Sequence, residues 1–297
     1  MTWLSPDVIY GRVLYCDWTP LLVGLTLKCP IILEVHSPHY LERSFRGWRK
    51  SRLLRMLERL QWRRAKFIRI VSKPMLRIMA DEGVNPQRIR FIPYGVNLVP
   101  RRQVARRTSK QPLTIIFVGS FYSYHGVSSL LHAFARVRKQ IPYARLELIG
   151  DGLTRRSDEQ LSKNLDLEDA VTFYGWLPRE TMLSHIHLAD IAVAPFLALE
   201  PFYFDPVKLL DYMSTGVAIV ASNLERIVEM LQEGRGGLLF PVGDTNALAS
   251  SIIELASSPE LCNRLGEAAQ AILIEEGYSW ERTAIRIKKL CEETTAT

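Results

Sequence analysis

Residues 205–222 (DPVKLLDYMSTGVAIVAS) most tightly constrain the fold, because they combine a helix start, a helix stop and a buried strand. Asp205 is the predicted N-cap, and Pro206 suits the first helical position, where no N–H is needed. Gly216 suits the left-handed residue that ends a helix. The apolar residues 217–220 are typical of a strand buried on both faces. The stretch therefore predicts a short helix leading directly into a central strand of an α/β fold.

Lys208 lies in the first turn of this predicted helix, where the helix dipole disfavours a cation by about 0.3–1 kcal/mol. A bound dianion would reverse that preference, because the amides of Val207, Lys208 and Leu209 would face it and the ammonium would add a point charge. Asp211, one turn further along the same face, could accept hydrogen bonds from sugar or ribose hydroxyls. The alternative is a surface Lys–Asp pair, worth about 0.2–0.5 kcal/mol. This stretch alone leaves both interpretations open.

Length and composition limit the classes of protein to consider. A chain of 297 residues predicts about two domains, and 47% hydrophobic residues is ordinary for a globular protein. The sequence has neither an uncharged apolar run long enough to span a membrane nor a recognisable signal peptide. The cysteines are scattered without a CxxC pair, which predicts a cytoplasmic, reducing environment with no metal site and no cofactor. They are Cys16, Cys29, Cys262 and Cys291.

Charge is divided unevenly along the chain. Residues 1–110 contain 22 Lys or Arg and 7 Asp or Glu, a net charge of +15, whereas the remainder carries −8. The densest basic block, residues 43–69, contains only one acid, and Leu53, Leu57 and Leu60 recur in it at helical spacing. Such a helix is typical of a peripheral protein on the inner, anionic face of a membrane, and nucleic acid is disfavoured as a partner. A solvated helix packed on its own domain remains the alternative. The predicted membrane contacts are Arg49, Arg52 and Arg59.

Strands and helices alternate along the chain, which predicts parallel, doubly wound sheets. Ligands bind at the carboxyl ends of strands in such sheets. His36 ends one predicted strand and is a candidate contact for a substrate hydroxyl, although a lone histidine is more often structural. Residues 99–112 lack apolar periodicity and are the predicted linker between two domains. The predicted strands lie within residues 6–10, 30–36, 67–72, 90–97, 113–120, 144–152, 171–176, 191–196 and 217–220.

Nine segments in order resemble the large family of retaining GT-B glycosyltransferases that includes bacterial mannosyl- and glucosyltransferases. The resemblance implies an α/β, GT-B-like fold in which two Rossmann-like, doubly wound domains face a cleft, the N-terminal one incomplete. The implied divisions are a partial acceptor-side domain (1–105), a nucleotide-sugar-binding domain (106–276) and a C-terminal helix (277–297) that could cross back to the first domain. The segments are residues 34–36, 92–97, 117–120, 125–127, 150–152, 194–196, 208–220, 237–244 and 279–280.

The same resemblance implies a reaction and its residues. A sugar would pass, with retention, from a nucleotide diphosphate sugar to a polysaccharide, lipid-linked or other glycoconjugate acceptor. His36 would lie beside the sugar, Asp211 would replace the family glutamate that holds the ribose, and Lys208 with helix amides would stabilise phosphate charge without a metal. The implied substrate-binding residues are Gly119, Ser120, His125, Gly126, Gly150, Asp151, Gly152, Glu200, Asp205, Leu209 and Leu210.

Three departures from the family pattern keep alternatives open. The N-terminal domain is shorter than the family's, so we expect residues 1–105 to be less stable than residues 113–275. Ser120 and His125 replace the usual Arg/Lys pair, which removes one of two cations. The family also carries two glutamates separated by seven residues. The first would fall at Tyr203, with Glu200 nearby but out of register, and the shorter Asp211 stands in the place of the second. The alternatives are a truncated, non-catalytic nucleotide-sugar binder, a subunit that needs a dimer partner or completing polypeptide, and, less favoured, a sugar-nucleotide epimerase.

Overall fold

The computed structural model describes residues 6–13, 17–45, 51–100, 112–200 and 205–295, without the side chains of residues 43–45. The chain divides into two compact units. Unit 1 comprises Met1–Gly95, Pro201–Asp205 and Tyr278–Thr297, and unit 2 comprises Val96–Glu200 and Pro206–Gly277. Among the described residues, none of the helices combines the length and apolar character needed to span a membrane.

Unit 1 is built on a parallel sheet whose four described strands lie in sequence order. They are β1 (Ile9–Arg12), β2 (Ile31–Val35), β3 (Phe67–Ile70) and β4 (Ile89–Phe91). Right-handed crossovers between neighbouring parallel strands place the connecting helices on one face of the sheet. These helices are α1 (Thr19–Leu27), α2 (His39–Phe45), α3 (Arg52–Arg64) and α4 (Met75–Asp81). Every residue of β2 is buried, as the apolar run at residues 30–36 predicts.

Unit 2 contains a parallel sheet with the strand order β10-β9-β8-β5-β6-β7 within the described residues. Its strands are β5 (Leu113–Val118), β6 (Ala144–Ile149), β7 (Val171–Gly175), β8 (Ile191–Ala194), β9 (Ala218–Ser222) and β10 (Leu238–Phe240). Its helices are α5 (Val127–Gln140), α6 (Arg155–Asn164), α7 (Arg179–Leu188), α8 (Val207–Thr215), α9 (Glu225–Met230), α10 (Thr245–Ser257) and α11 (Pro259–Glu276). The chain winds outward from β5 to β7 and then returns to β8 on the other side of β5. The direction of winding therefore reverses between β5 and β8.

The side chain of Tyr212 fills the point where these two central strands separate. Pairing of β5 with β8 is limited to residues 115–116 with residues 191–192. Beyond it, the fully buried Tyr212 hydroxyl accepts from the Val118 amide at 2.8 Å and donates to the Val193 carbonyl at 3.4 Å. Ligands of open α/β sheets bind outside the carboxyl ends of the strands at such a switch point. The fold thus places a candidate site at the ends of β5 and β8.

Helix α8 starts one residue later than the sequence predicts. Pro206, with ψ of 77°, occupies the N-cap, and its carbonyl accepts from the Leu209 amide at 2.8 Å. The prediction of Asp205 as N-cap and Pro206 as the first helical residue is therefore wrong, because the backbone enters the helical region only at Val207. Gly216, at φ of 67°, ends the helix as predicted. All residues from 208 to 215 are buried, so α8 is a central element of unit 2.

The last helix, α12 (Trp280–Thr295), is part of unit 1. Leu290 packs in one cluster with Ile32 of β2 and Ile92. The Thr283 hydroxyl donates to the Pro93 carbonyl at 3.2 Å. Unit 1 is therefore covered by a helix that lies almost 200 residues further along the chain than its last strand.

Candidate functional site

A buried lysine side chain lies at the switch point of unit 2. Lys208 is 8% exposed, and its Nζ lies 3.9 Å from the centre of the Phe117 ring and 4.7 Å from that of Phe196. The Nζ has no hydrogen-bond partner among the residues that the structure describes. Burial holds the pKa of Lys208 well below its usual value. The two rings favour a cation, but only an anion would offset the loss of water around it.

Two glycines allow the surrounding loops to approach this lysine. A Cβ on Gly119, which follows β5 with φ of 147°, would lie 2.5 Å from Lys208 Nζ and 3.5 Å from His125 Nδ1. Gly126 has φ of 72°, and a Cβ there would lie 1.8 Å from the carbonyl oxygen of Pro195, just after β8. The loops that follow β5 and β8 are therefore in direct contact at Gly126, and Gly119 leaves room for the Lys208 side chain.

His125 is a neutral neighbour of Lys208. Its Nδ1 lies 2.5 Å from the Ser120 carbonyl oxygen, which can only accept, so Nδ1 carries a proton. The ring packs edge-on against Tyr124 and Phe196, with centroid distances of 4.6 and 5.1 Å. Burial and the nearby charge of Lys208 lower the pKa of His125 to about 2. Neither Ser120 nor His125 therefore contributes a positive charge in the free protein.

The turn at residues 150–152 supports the turn that follows β5. The Phe121 amide donates to the Asp151 carbonyl at 2.9 Å, and the Gly119 amide donates to the Ile149 carbonyl at 2.9 Å. The exposed Asp151 carboxylate accepts from the Gly152 amide at 2.7 Å and lies 3.4 Å from Arg155. A Cβ on Gly150 would lie 2.0 Å from the carbonyl oxygen of residue 119. These residues shape the loop, and the Gly119 amide is already used within it.

Asp211 is paired with an arginine that the sequence analysis missed. Asp211 is 5% exposed. Its carboxylate accepts two hydrogen bonds from Arg179, with an Nη2–Oδ1 distance of 2.7 Å and an Nη1–Oδ2 distance of 3.5 Å. Burial raises the pKa of Asp211, although Arg179 opposes the increase. Arg179 begins α7, and no sequence pattern links it to a residue 32 positions later. A ribose hydroxyl would have to share the Asp211 carboxylate with this guanidinium.

The remaining predicted contacts on and beside α8 differ in burial. The side chains of Leu209 and Leu210 are fully buried, and the Leu209 amide is bonded to Pro206, so the prediction that this amide faces a ligand is wrong. Glu200 is exposed, while Asp205 is buried and belongs to unit 1. The first-turn amides left for an anion are those of Val207 and Lys208. Within the described ranges, no three His, Cys, Asp or Glu side chains are grouped to hold a metal ion.

In unit 1, Glu34 on β2 and Arg69 on β3 form a buried ion pair. Arg69 is 3% exposed and also donates to two main-chain carbonyls that follow β4, at 3.0 and 3.2 Å. Burial alone raises the pKa of Glu34, but hydrogen bonds from His36 and Tyr10 and the charge of Arg69 outweigh it and lower that pKa to about 2. Glu34 is therefore an ionised acceptor at the carboxyl end of the sheet.

This carboxylate holds His36 in one orientation. The His36 Nε2 bonds to Glu34, so Nε2 carries a proton and Nδ1 accepts. Nδ1 accepts from the Tyr94 hydroxyl and lies 3.2 Å from Arg12 Nη2. The side chain is only 16% exposed. Both ring nitrogens are thus engaged within unit 1, and a role for His36 beside a substrate hydroxyl stays a prediction.

The single acid of the basic block at residues 43–69, Glu58, lies on the buried side of α3. Glu58 is 4% exposed and accepts from the amides of His39 and Tyr40 at 2.9 and 3.0 Å. It therefore satisfies the first amides of α2, a role that charge patterning does not reveal. The buried side chains of α3 are Leu54, Glu58, Gln61 and Trp62.

The opposite side of α3 is exposed, basic and apolar. Leu53, Met56 and Leu60 are 61%, 58% and 43% exposed, whereas Leu57 is half-buried, so only part of the predicted stripe faces outward. Arg52 is exposed, whereas Arg59 donates to the Glu82 carbonyl at 3.1 Å and lies 3.3 Å from its carboxylate. Arg49 lies outside the described residues. Of the three predicted membrane contacts, Arg59 is thus already bound within unit 1.

Comparison with known proteins supplies the family. The model of the family described as "Glycosyl transferases group 1" matches residues 101–272, more than half of the chain, and that described as "Glycosyltransferase Family 4" matches residues 2–99. N-acetyl-alpha-D-glucosaminyl L-malate synthase of Bacillus anthracis is 31% identical over 168 residues, 57% of this chain and 42% of that protein. Phosphatidyl-myo-inositol mannosyltransferase of Mycolicibacterium smegmatis is 28% identical over 180 residues, covering 60% and 45%. The chain spans about half the length of the curated relatives it matches.

Solved structures share the fold. Sucrose-phosphate synthase from Thermosynechococcus elongatus superposes with a TM-score of 0.76 at 23% identity, covering 98% of this chain and 74% of that one. Anabaena HepE in complex with UDP and glucose gives a TM-score of 0.76 at 18% identity, covering 96% and 77%. These likenesses confirm the predicted α/β fold of GT-B glycosyltransferases, with two Rossmann-like units. One family model alone matches more than half of the residues of this chain. The chain therefore belongs to the glycosyl transferases group 1 family.

Proposed function

We propose that the protein is a glycosyltransferase that moves a sugar from a nucleotide diphosphate sugar to a glycoconjugate acceptor, with retention at the anomeric carbon. The bond from that carbon to the diphosphate oxygen breaks, and the diphosphate leaves with the electron pair. The acceptor oxygen forms the new bond on the same face, and its proton passes to the departing diphosphate. The observation that carries the proposal is the buried Lys208 side chain at the start of α8, whose Nζ has no hydrogen-bond partner among the described residues.

Lys208 stabilises the diphosphate in this proposal. Negative charge develops on the leaving group, and the ammonium and the Val207 and Lys208 amides face it at the helix start. The Phe117 and Phe196 rings exclude water from the ammonium, which strengthens its attraction to phosphate. The bound diphosphate supplies a partner for the Lys208 Nζ, which has none among the residues described for the free protein.

The other residues position the substrate. Gly119 and Gly126 let the loops after β5 and β8 close around the phosphates. Asp211 accepts from the ribose hydroxyls while Arg179 keeps its carboxylate in place. His36 contacts the transferred sugar, and the bonds to Glu34 and Tyr94 fix its ring before substrate arrives.

The test measures nucleotide release from UDP-, GDP- and ADP-sugars, with and without membrane extract, alongside calorimetric binding of the same donors. Lys208→Ala should weaken donor binding by about 1.5–3 kcal/mol, the scale of a charged hydrogen bond, and abolish turnover. Lys139→Ala, at an exposed position in the last turn of α5, is the matched control and should retain both.

The results separate the transferase from the two alternatives without activity of their own, the nucleotide-sugar binder and the subunit that needs a partner. Turnover that depends on Lys208 supports the transferase. Donor binding without turnover under every condition would favour a non-catalytic nucleotide-sugar binder or a subunit that requires a partner polypeptide. Equal affinity in Lys208→Ala and the parent would remove Lys208 from the donor site.

We also propose that the exposed side of α3 contacts an anionic membrane surface, where a lipid-linked acceptor would lie. Leu53, Met56 and Leu60 would enter the headgroup boundary, and Arg52 and Arg64 would attract anionic lipid. Buried Glu58 and Gln61 hold the other side of the helix in unit 1.

Vesicle flotation tests this contact. Vesicles containing phosphatidylserine should retain the protein at low salt and release it at high salt, because exposed charges are screened over about 8–10 Å at 0.1–0.15 M. Arg52→Glu with Arg64→Glu should abolish retention. Arg156→Glu, at an exposed position of α6, is the control and should not. Retention that ignores salt and the paired change would leave α3 as a solvated helix.

A further inference from the structure

We propose that a cleft in unit 1, between strand β4 and helix α12, binds a phosphate monoester at a site separate from that of the donor diphosphate. The cleft has a volume of about 180 Å³. A single water needs only about 10–15 Å³, so the cleft has room for a phosphate group and part of the molecule that carries it.

One side of α12 forms a wall of this cleft. The α12 residues that line it are three and four positions apart, which places them on the same side of the helix. They are Arg286, Lys289, Leu290 and Glu293. The buried Leu290 packs in one cluster with Ile92, which follows β4 and also lines the cleft. A ligand there would contact apolar surface on one side and cations on the other.

Arg90 on β4 is held in place at the opposite wall. Its Cζ lies 4.6 Å from the centre of the Phe67 ring, and its Nη1 donates to the Gln87 carbonyl at 2.7 Å. Its Nη2 lies 3.6 Å from Glu293 Oε2, and these side chains are 37% and 41% exposed. Such a long, exposed ion pair is weak, so an oxyanion can compete for the Arg90 guanidinium, whose planar fork suits phosphate.

The lining of the cleft carries an excess of positive charge. Its described residues include three cations and one acid, a net charge of +2. Arg286 and Lys289 are exposed and form no ion pair with the residues that the structure describes, since Glu293 pairs with Arg90. Like charges three positions apart on a helix repel each other. A phosphate monoester, with a charge of roughly −1.5 to −2 at pH 7, would neutralise this excess.

The cleft is on the side of unit 1 opposite to α1 and α3. A Cβ on Gly24 of α1 would meet the Ile31 side chain, whereas Leu290 of α12 packs with Ile32. Successive residues of a strand face opposite sides of a sheet, so α12 and α1 cover different faces. The crossover helix α3 shares the face of α1. A soluble phosphate ester therefore fits the cleft better than a lipid of the membrane proposed to contact α3.

Titration of the full chain with glycerol 3-phosphate, followed by calorimetry and by hydrogen exchange, tests the inference. Binding should protect residues 89–92 and 286–293. Dimethyl phosphate, a diester with a single charge, should bind about fivefold more weakly or worse, because charge-assisted bonds depend on the charge of the acceptor. Vesicles containing phosphatidic acid offer the same monoester from a lipid.

Variants of the cleft supply the matched comparison. Arg286→Gln with Lys289→Gln should weaken binding of glycerol 3-phosphate by about tenfold or more, because two charged donors are lost. Arg90→Gln should weaken it independently from the other wall, which keeps the test decisive if thermal unfolding shows the paired variant to be unfolded. Lys288→Gln, at an exposed position of α12 that pairs with Glu292, is the control and should bind like the parent.

Lys208→Ala separates this site from the donor site, because it should retain both the binding of glycerol 3-phosphate and the protection in unit 1. Binding that Lys208→Ala abolishes and the cleft variants leave intact would overturn this inference and leave the proposed function standing. Protection by the vesicles alone, lost in the cleft variants, would support the site and assign its phosphate to a lipid. Failure of both glycerol 3-phosphate and the vesicles to protect the two segments would overturn the site.

Discussion

Tyr212→Phe should destabilise unit 2 even though it removes a single oxygen atom. The Tyr212 hydroxyl is the bridge between β5 and β8 where their pairing ends. Its fully buried ring would remain in phenylalanine and fill almost the same volume, so no large cavity is created. The substitution therefore isolates the effect of the hydroxyl at the switch point.

The size of the effect follows from the two bonds. The Val118 amide, 2.8 Å from the hydroxyl in a buried environment, would lose its acceptor, and an orphaned buried donor costs about 1–3 kcal/mol. The bond to the Val193 carbonyl is long, at 3.4 Å, and contributes less. We expect the free energy of unfolding of unit 2 to fall by about 1–3 kcal/mol.

Hydrogen-exchange mass spectrometry at increasing urea concentrations measures the unfolding of unit 2 separately from that of unit 1. The Tyr212→Phe variant should unfold unit 2 at lower urea with an unchanged m-value, and peptides covering Val118 should lose protection most. Tyr174→Phe is the control, because its hydroxyl is 3.4 Å from Glu147 on a residue that is 39% exposed. An unchanged midpoint for Tyr212→Phe, or an equal loss in both variants, would refute the bridging role.

Three further changes test other parts of the structure. The pKa of Glu34 is about 2 in the folded protein against 4.5 ordinarily. The ionised carboxylate therefore contributes about 3 kcal/mol to the free energy of unfolding above about pH 5, and this contribution is lost as the pH falls toward 2. Denaturation followed by circular dichroism should show that Glu34→Gln lacks this pH-dependent contribution. Gly126→Ala should cost several kcal/mol in thermal unfolding, because its Cβ would meet Pro195, whereas Gly243→Ala, with φ of 80° and open space, should cost about 1–2 kcal/mol. Glu58→Ala should raise hydrogen exchange at the start of α2, since it removes the acceptor for two amides.

Patterns that depend on neighbours in sequence predicted much of unit 2. The stop at Gly216 and the strand after it follow from left-handed geometry and an apolar run, and both are confirmed. Lys208 was identified because a cation is disfavoured at a helix start. The N-cap was misplaced, because Asp205 and Pro206 satisfy the same rule one residue apart and only the backbone angle of Pro206 distinguishes them.

Contacts between distant residues could not be predicted in the same way. Arg179 and Asp211 meet because α7 and α8 pack together, and nothing near either residue in the sequence signals this pair. Arg69 lies inside an apolar strand, and its partner Glu34 is 35 residues away on the neighbouring strand. These ion pairs depend on strand order and register, which periodicity does not report.

The most direct measurement of the central claim compares Lys208→Met with the parent in thermal unfolding, with and without the nucleoside diphosphate that binds. The buried amine of Lys208 has no hydrogen-bond partner among the described residues, and burying it costs free energy, so the variant should unfold at a higher temperature than the parent when no nucleotide is present. Nucleotide at 100 times the parent's dissociation constant should stabilise the parent by about 2.7 kcal/mol and the variant by only about 0.3–1.3 kcal/mol, because the variant loses about 1.5–3 kcal/mol of binding free energy. A variant that is less stable than the parent when free, yet is stabilised by nucleotide to the same extent, would contradict the assignment of Lys208 as the diphosphate-binding cation.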